Sequence, residues 1–159
     1  DNSGISVYLR QLLQRSGGVF SVSKRAVSGG PQSRFLLLEY DRVPQLGLAG
    51  GILIFKRGSA GDSRFPSPGG LTGVVDSAHT GALSLLKESG IPAISCGMSA
   101  RDTLTLSSVG ENSATVTLSR ALKTLSGGTA EPQDIPVSLA APADGYSIMA
   151  ALLNMIKIL

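Results

Sequence analysis

GVVDSAHTGALSLLKESGIPAISC, residues 73–96, is the stretch that decides the fold class. Gly73-Val74-Val75-Asp76 is apolar and β-branched up to its last residue, which reads as a buried strand ending at a carboxylate. The spacing of Leu83, Leu85 and Leu86 predicts a helix over Thr80–Ser89, and Ile91-Pro92-Ala93-Ile94-Ser95-Cys96 reads as a second strand. Strand, helix and strand in this order make a β-α-β unit, whose crossover helix returns the chain to a parallel neighbour. The expectation is therefore an α/β protein with a mostly parallel, doubly wound sheet.

Upstream, Phe35-Leu36-Leu37-Leu38-Glu39-Tyr40 and Gly51-Ile52-Leu53-Ile54-Phe55 are continuous apolar runs rather than alternating ones. That pattern predicts strands covered on both faces. A short strand is expected around Val19–Ser23. Before it, Ile5, Leu9, Leu12 and Leu13 predict a helix over residues 4–16, stopped by Ser16-Gly17-Gly18. The Gly-, Ser- and Pro-rich stretch GSAGDSRFPSPGG, residues 58–70, reads as a flexible loop between two halves of one sheet.

Downstream the pattern changes. Thr103–Ser107 and Ala114–Leu118 alternate about Gly110-Glu111-Asn112-Ser113, which predicts an antiparallel hairpin with one wet face. Ile135–Leu139 reads as an edge strand, where the missing N–H of Pro136 does least harm. A last helix over residues 145–158 carries Ile148, Leu152, Met155 and Leu159 on one face, with Met149, Leu153 and Ile156 beside it, and so wide a stripe predicts deep burial. There is no internal repeat, and 159 residues suit one domain, 1–159.

The 14 Lys and Arg against 11 Asp and Glu leave a net charge of +3, but the basic residues are scattered, and Trp is absent. Neither a phosphate-tracking stripe nor a stacking platform is present, so a nucleic-acid partner is not expected. The single cysteine, Cys96, cannot form an internal disulfide, and no apolar run approaches the roughly 20 residues of a membrane-spanning helix. The expectation is a cytoplasmic protein with no membrane contact.

Four residues are candidates for chemistry. Gly4 and Ser6 fall where a phosphate loop of the G-K-[ST] type has its glycine and hydroxyl, although Ile5 stands in the lysine position and plain N-capping is the alternative. Glu39 closes a buried run, at the strand end where ligand sites of open α/β sheets gather, and is placed to hold a metal or orient a water. Asp76 has the same geometry. For each carboxylate the alternative is a strand simply reaching solvent. His79 either joins Asp76 or begins the next helix. Cys96 reads as a buried structural thiol rather than a nucleophile, and one histidine without a Cys/His cluster gives no zinc site.

In the order of its segments the chain resembles the central ATPase domain of the Mur ligases, the peptidoglycan-building amide ligases. Gly4-Ile5-Ser6-Val7 leads into YLRQLLQRSGG much as the family's phosphate loop opens its helix, and FLLLEYD places Glu39 where the ligases keep a magnesium-linked carboxylate. GVVDSAHTGALSLLKESGI resembles the family's V-x-N-x-D-D strand and helix, with Asp76 in the Asn position and Ala78 and His79 in place of the acids. SCGMS and APADGYSIMAAL are similar in place to the strand ending near F-G and to the G-x-H-N-x-x-N-A helix start, with Asp144, Gly145 and Met149 standing where His-Asn and the second Asn would. GGILIFKRGSAGD lacks the family's Thr-Asn and Asp-His pairs.

The departures fall on residues that handle nucleotide or metal, while the apolar framework is kept. The resemblance therefore implies a catalytically degenerate domain, without the ligases' flanking substrate domains, that works as a binding or regulatory module for a protein partner, linked to cell-wall synthesis. It implies no bound cofactor. The rival it leaves is a ligase-type enzyme domain completed by an upstream segment, with ATP and magnesium held by Gly4, Ser6, Glu39 and Asp76. A third reading is self-association through the last helix into a homo-oligomer.

Overall fold

A computed structural model describes residues 3–41, 50–59, 69–139 and 143–158. Of the expected loop 58–70, residues 60–68 lie outside this set, as does Leu159 of the last helix. The described chain is mixed α/β, with one curled sheet of six strands at its centre.

The β-α-β unit builds that centre. Strand β5, Leu71–Asp76, is followed by α2, Thr80–Glu88, and by β6, Ala93–Gly97, which pairs parallel to β5 from Gly73↔Ala93 to Asp76↔Cys96. Helix α2 begins on the His79 side chain and ends at Gly90, whose φ of +66° turns the chain back to the sheet at little steric cost. Gly73 lets the helix approach, because a Cβ there would lie 2.4 Å from a Leu86 methyl. Leu71, Val75, Ala82, Leu85, Leu86, Ile91 and Phe55 close the core on this face.

On one side of β5 lies β4, Gly51–Ile54, also parallel; beyond β6 comes β7, Leu104–Val109, parallel to it over Cys96↔Leu104 and Gly97↔Thr105. Strand β8, Ser113–Leu118, runs antiparallel to β7 with a bulge between Leu106 and Ser108. A two-stranded ribbon of β9, Leu122–Lys123, and β10, Thr129–Ala130, precedes β11, Gln133–Ser138. The sheet order is β11-β8-β7-β6-β5-β4, with Pro136 in the edge strand β11.

The opposite face is covered by α1, Ser3–Arg15, and α3, Gly145–Ile158. Ile5 and Leu9 of α1 and Ile148, Leu152, Leu153 and Ile156 of α3 pack with Val74, Ile94, Leu104, Val116 and Leu118. At the head of α3 the buried Tyr146 hydroxyl meets the carbonyls of Phe55 and Val74 at 2.5 and 3.2 Å, tying the helix to β4 and β5. Burial pushes this phenol well above its usual range, so it remains a donor.

Three features differ from the sequence expectations. The strands before residue 58 do not belong to one sheet. Strands β1, Val19–Val22, β2, Val27–Ser28, and β3, Phe35–Leu38, form a separate sheet in the order β2-β1-β3, because β3 takes β1 as its parallel partner from Val19↔Phe35 to Val22↔Leu38. The run Phe35–Leu38 is therefore not covered on both faces, and Leu36 stays 56% exposed. Met155 is also 42% exposed despite the wide stripe of α3, because it borders an open groove of about 500 Å³ between α3 and the β9–β10 ribbon.

No helix among the described residues is long and apolar enough to cross a membrane.

Candidate functional site

Glu39 follows β3 directly, and its N–H continues the β1–β3 ladder by bonding to the Val22 carbonyl at 2.9 Å, which fixes the backbone from which the side chain projects. Ser6, in the first turns of α1, donates from its hydroxyl to Glu39 Oε1 at 3.0 Å. The same oxygen accepts from the Lys56 ammonium, just beyond β4. The Lys56 hydrogen bond is the main reason that the Glu39 carboxyl lies below its ordinary value; burial opposes it, while the Ser6 hydroxyl and the charge of Arg10 help. Arg10, one turn along α1, donates to the buried Ser21 hydroxyl at 3.1 Å and so links this cluster to β1.

Asp76 closes β5 and belongs to a second cluster. Its Oδ2 accepts from Arg57 Nε at 2.9 Å, and its Oδ1 accepts from the Ala78 N–H at 3.0 Å in an Asx turn. Arg57 also lies 3.9 Å from Asp144 Oδ1. Asp144 stands just before α3, where it accepts from the Ser147 N–H at 3.1 Å and from the Ser147 hydroxyl, satisfying donors that the helix start leaves unpaired. Burial raises the Asp144 carboxyl, and the bonds from Ser147 together with the Arg57 charge outweigh it, leaving the group below its ordinary value.

The sequence candidates are thus brought together only in part. Ser6 and Glu39 touch. Gly4 lies in the first turn of α1, where a Cβ would come 3.9 Å from the Ser147 hydroxyl, so the starts of α1 and α3 are neighbours. Asp76 is joined to the Glu39 cluster through the consecutive residues Lys56 and Arg57.

His79 begins a helix. Its Nδ1 accepts from the Ala82 N–H at 3.2 Å and its Nε2 faces the Ser59 carbonyl at 3.1 Å, which assigns the proton to Nε2 and leaves neither nitrogen for use as a base. Ser59 Oγ, 3.4 Å from Nε2, donates instead to the Lys56 carbonyl at 2.8 Å, so the pair is not a hydrolytic dyad. Cys96 is fully buried and its thiol is pushed up to about 12, by burial first and by the charges of Asp102 and Asp76 second. A thiol held in that form is a core residue and not a nucleophile.

Sequence reasoning missed three groups. Lys56 and Arg57 were legible as two adjacent bases closing an apolar run, the mirror image of the carboxylates that were singled out. Asp102 gave no signal. It is 3% exposed and accepts from the Ser99 N–H at 2.9 Å and the Ser77 hydroxyl at 3.2 Å. Gly97 makes room for it, since a Cβ there would lie 2.3 Å from Asp102 Oδ2 and 2.2 Å from Ser77 Oγ.

Among the described residues, no three His, Cys, Asp or Glu side chains gather to hold a metal ion. Magnesium bound with a nucleotide needs only one or two carboxylates, with phosphates and waters completing its octahedron. Ser6 and Glu39 supply oxygens of the right kind, but the ammonium already on Oε1 does not fit a second cation at that atom. No family model matches the sequence, and no curated protein matches it.

Proposed function

We propose that this chain is a catalytically degenerate Mur-ligase-like domain that acts in the cytoplasm as a binding or regulatory module for a protein partner, linked to cell-wall synthesis. On this reading the sheet is the mostly parallel, doubly wound sheet of the ligases' central domain with an antiparallel extension over residues 103–139. The parallel run β4–β7, the helices on both faces and the antiparallel β8 and β11 support it. The observation that carries the functional part is the Lys56 ammonium seated on Glu39, the carboxylate that the resemblance links to magnesium. A carboxylate whose Oε1 already carries its own chain's ammonium and the Ser6 hydroxyl is neutralised, and so attracts a metal–nucleotide complex less than a free one would.

The test is ATP hydrolysis by the protein beside its Glu39→Ala variant. The module reading expects no hydrolysis above buffer from either. Hydrolysis by the parent that disappears in Glu39→Ala overturns it.

A second reading has one specific observation in its favour. The Ser6 hydroxyl, which falls in the serine position of the phosphate loop, meets Glu39 across 33 residues of sequence. That meeting is what an ATP- and magnesium-binding ligase-type domain needs, and magnesium-dependent ATP turnover is the result that selects it.

A further inference from the structure

Lys56 is held for its position from both directions. Before it, the Phe55 N–H bonds to Val74 at 3.0 Å and the Phe55 carbonyl takes the Tyr146 hydroxyl, so the chain leaving β4 is fixed to β5 and α3. After it, the Lys56 carbonyl accepts both the Ser59 N–H at 3.1 Å and the Ser59 hydroxyl at 2.8 Å. The adjacent Arg57 is directed to Asp76. With the backbone pinned on each side, the Lys56 stem reaches Glu39 Oε1, where Ser6 also arrives, and both ionic side chains keep only 30% of their surface exposed.

We propose that Lys56 is a tethered cation that takes the place a divalent ion would occupy between the Ser6 hydroxyl and the Glu39 carboxylate, and so closes this site to metal. The inference rests on the degenerate-site reading for the identity of the site, and its test needs no turnover. An ammonium is a compact point charge that satisfies a carboxylate through one contact, whereas magnesium or manganese must build an ordered shell of six oxygens around itself. Two cations on one carboxylate oxygen repel, so a metal between the Ser6 hydroxyl and Glu39 Oε1 enters only if the lysine leaves. Its anchored backbone, which keeps the ammonium within reach of Oε1, opposes that departure. A lysine placed by chance on a solvated face would have neither the shared hydroxyl nor the fixed backbone.

The experiment measures Mn²⁺ binding to the full chain by the loss of the free-ion electron paramagnetic resonance signal, without nucleotide, after circular dichroism has checked that each variant melts cooperatively. The parent protein and Lys56→Arg, which keeps the charge, should leave millimolar Mn²⁺ free. Lys56→Met should bind Mn²⁺ about 10-fold or more tightly than the parent, the scale on which groups around a metal alter its affinity. Lys56→Gln is read in the same way if the methionine variant does not fold. Adding Glu39→Gln to either variant should remove the gain. The proposal is overturned if the parent binds Mn²⁺ as tightly as the uncharged variant, if a folded uncharged variant gains nothing, or if the gain survives Glu39→Gln. ATP hydrolysis by the parent would overturn the module reading whatever Mn²⁺ does, so the two failures are distinguishable.

Discussion

The Glu39 and Asp76 clusters lie at strand ends, are joined by the consecutive residues Lys56 and Arg57, and each pair a carboxylate with a base. They differ in what else the carboxylates hold. Asp76 and Asp144 accept backbone N–H groups, so each one sets the path of the chain, at the turn into α2 or at the start of α3. Glu39 accepts only from the Ser6 and Lys56 side chains in the contacts described above, and its backbone is fixed without it by the β1–β3 ladder. Removing a carboxylate of the first kind breaks local structure, whereas removing Glu39 takes away side-chain bonds to Ser6 and Lys56 and leaves the backbone ladder in place. This is the difference between a carboxylate that shapes the backbone and one that ties side chains of separate elements together.

The comparison breaks if the Asp76 side of the molecule tolerates disturbance. Gly97→Ala is the severest probe, because its Cβ would press on Ser77 and the buried Asp102. Overpacking of this kind should cost about 1–3 kcal/mol in urea unfolding. Asp144→Ala follows, at about 1 kcal/mol for a lost helix cap, with amide exchange in the first turn of α3 quickened. A change indistinguishable from zero at both positions would contradict the structural role.

Acid sharpens the same contrast. Asp144 and Glu39 both sit below their ordinary values of 3.8 and 4.5, so the folded protein binds fewer of these protons than the unfolded chain. Their contribution is fully present above those ordinary values and is lost as pH falls through the lowered folded ones. Unfolding free energies taken from about pH 6 down to about pH 2 should therefore fall less steeply for Asp144→Asn than for the parent, with the difference confined to the region below about pH 4. A difference that opens above pH 6 would mean that some other group carries it. The smallest effect is expected from Glu39→Gln, which should change stability at neutral pH by less than about 1 kcal/mol, since its ion pair is partly exposed and screened.

The β-α-β unit was legible because burial on both faces writes itself as an unbroken apolar run, and because α2 has local start and stop signals in His79 and Gly90. The partnership of β3 with β1 was not, since an apolar run specifies a strand without specifying its neighbour. Met155 misled for a related reason, because helical periodicity identifies a face, while the β9–β10 ribbon decides which part of it is covered. At the site, Glu39 and Ser6 were readable by position, but their contact is a fact of the tertiary fold, as is the lysine that neutralises Glu39. Asp102 was hidden entirely: its acceptor bonds join its own loop to the turn between β5 and α2, and a lone acid in SARDT carries no pattern.

The central claim is that Glu39 is satisfied by Lys56 and serves no metal–nucleotide complex. Melting curves of the parent and of Glu39→Ala, taken with ATP alone and with ATP plus magnesium at rising concentration, test it most directly. A ligand that binds only the folded state must stabilise it by mass action, by about 2.7 kcal/mol at 100 times its dissociation constant. The account predicts that magnesium adds nothing to the melting temperature of either protein. A magnesium-dependent rise in the parent that vanishes in Glu39→Ala would contradict it.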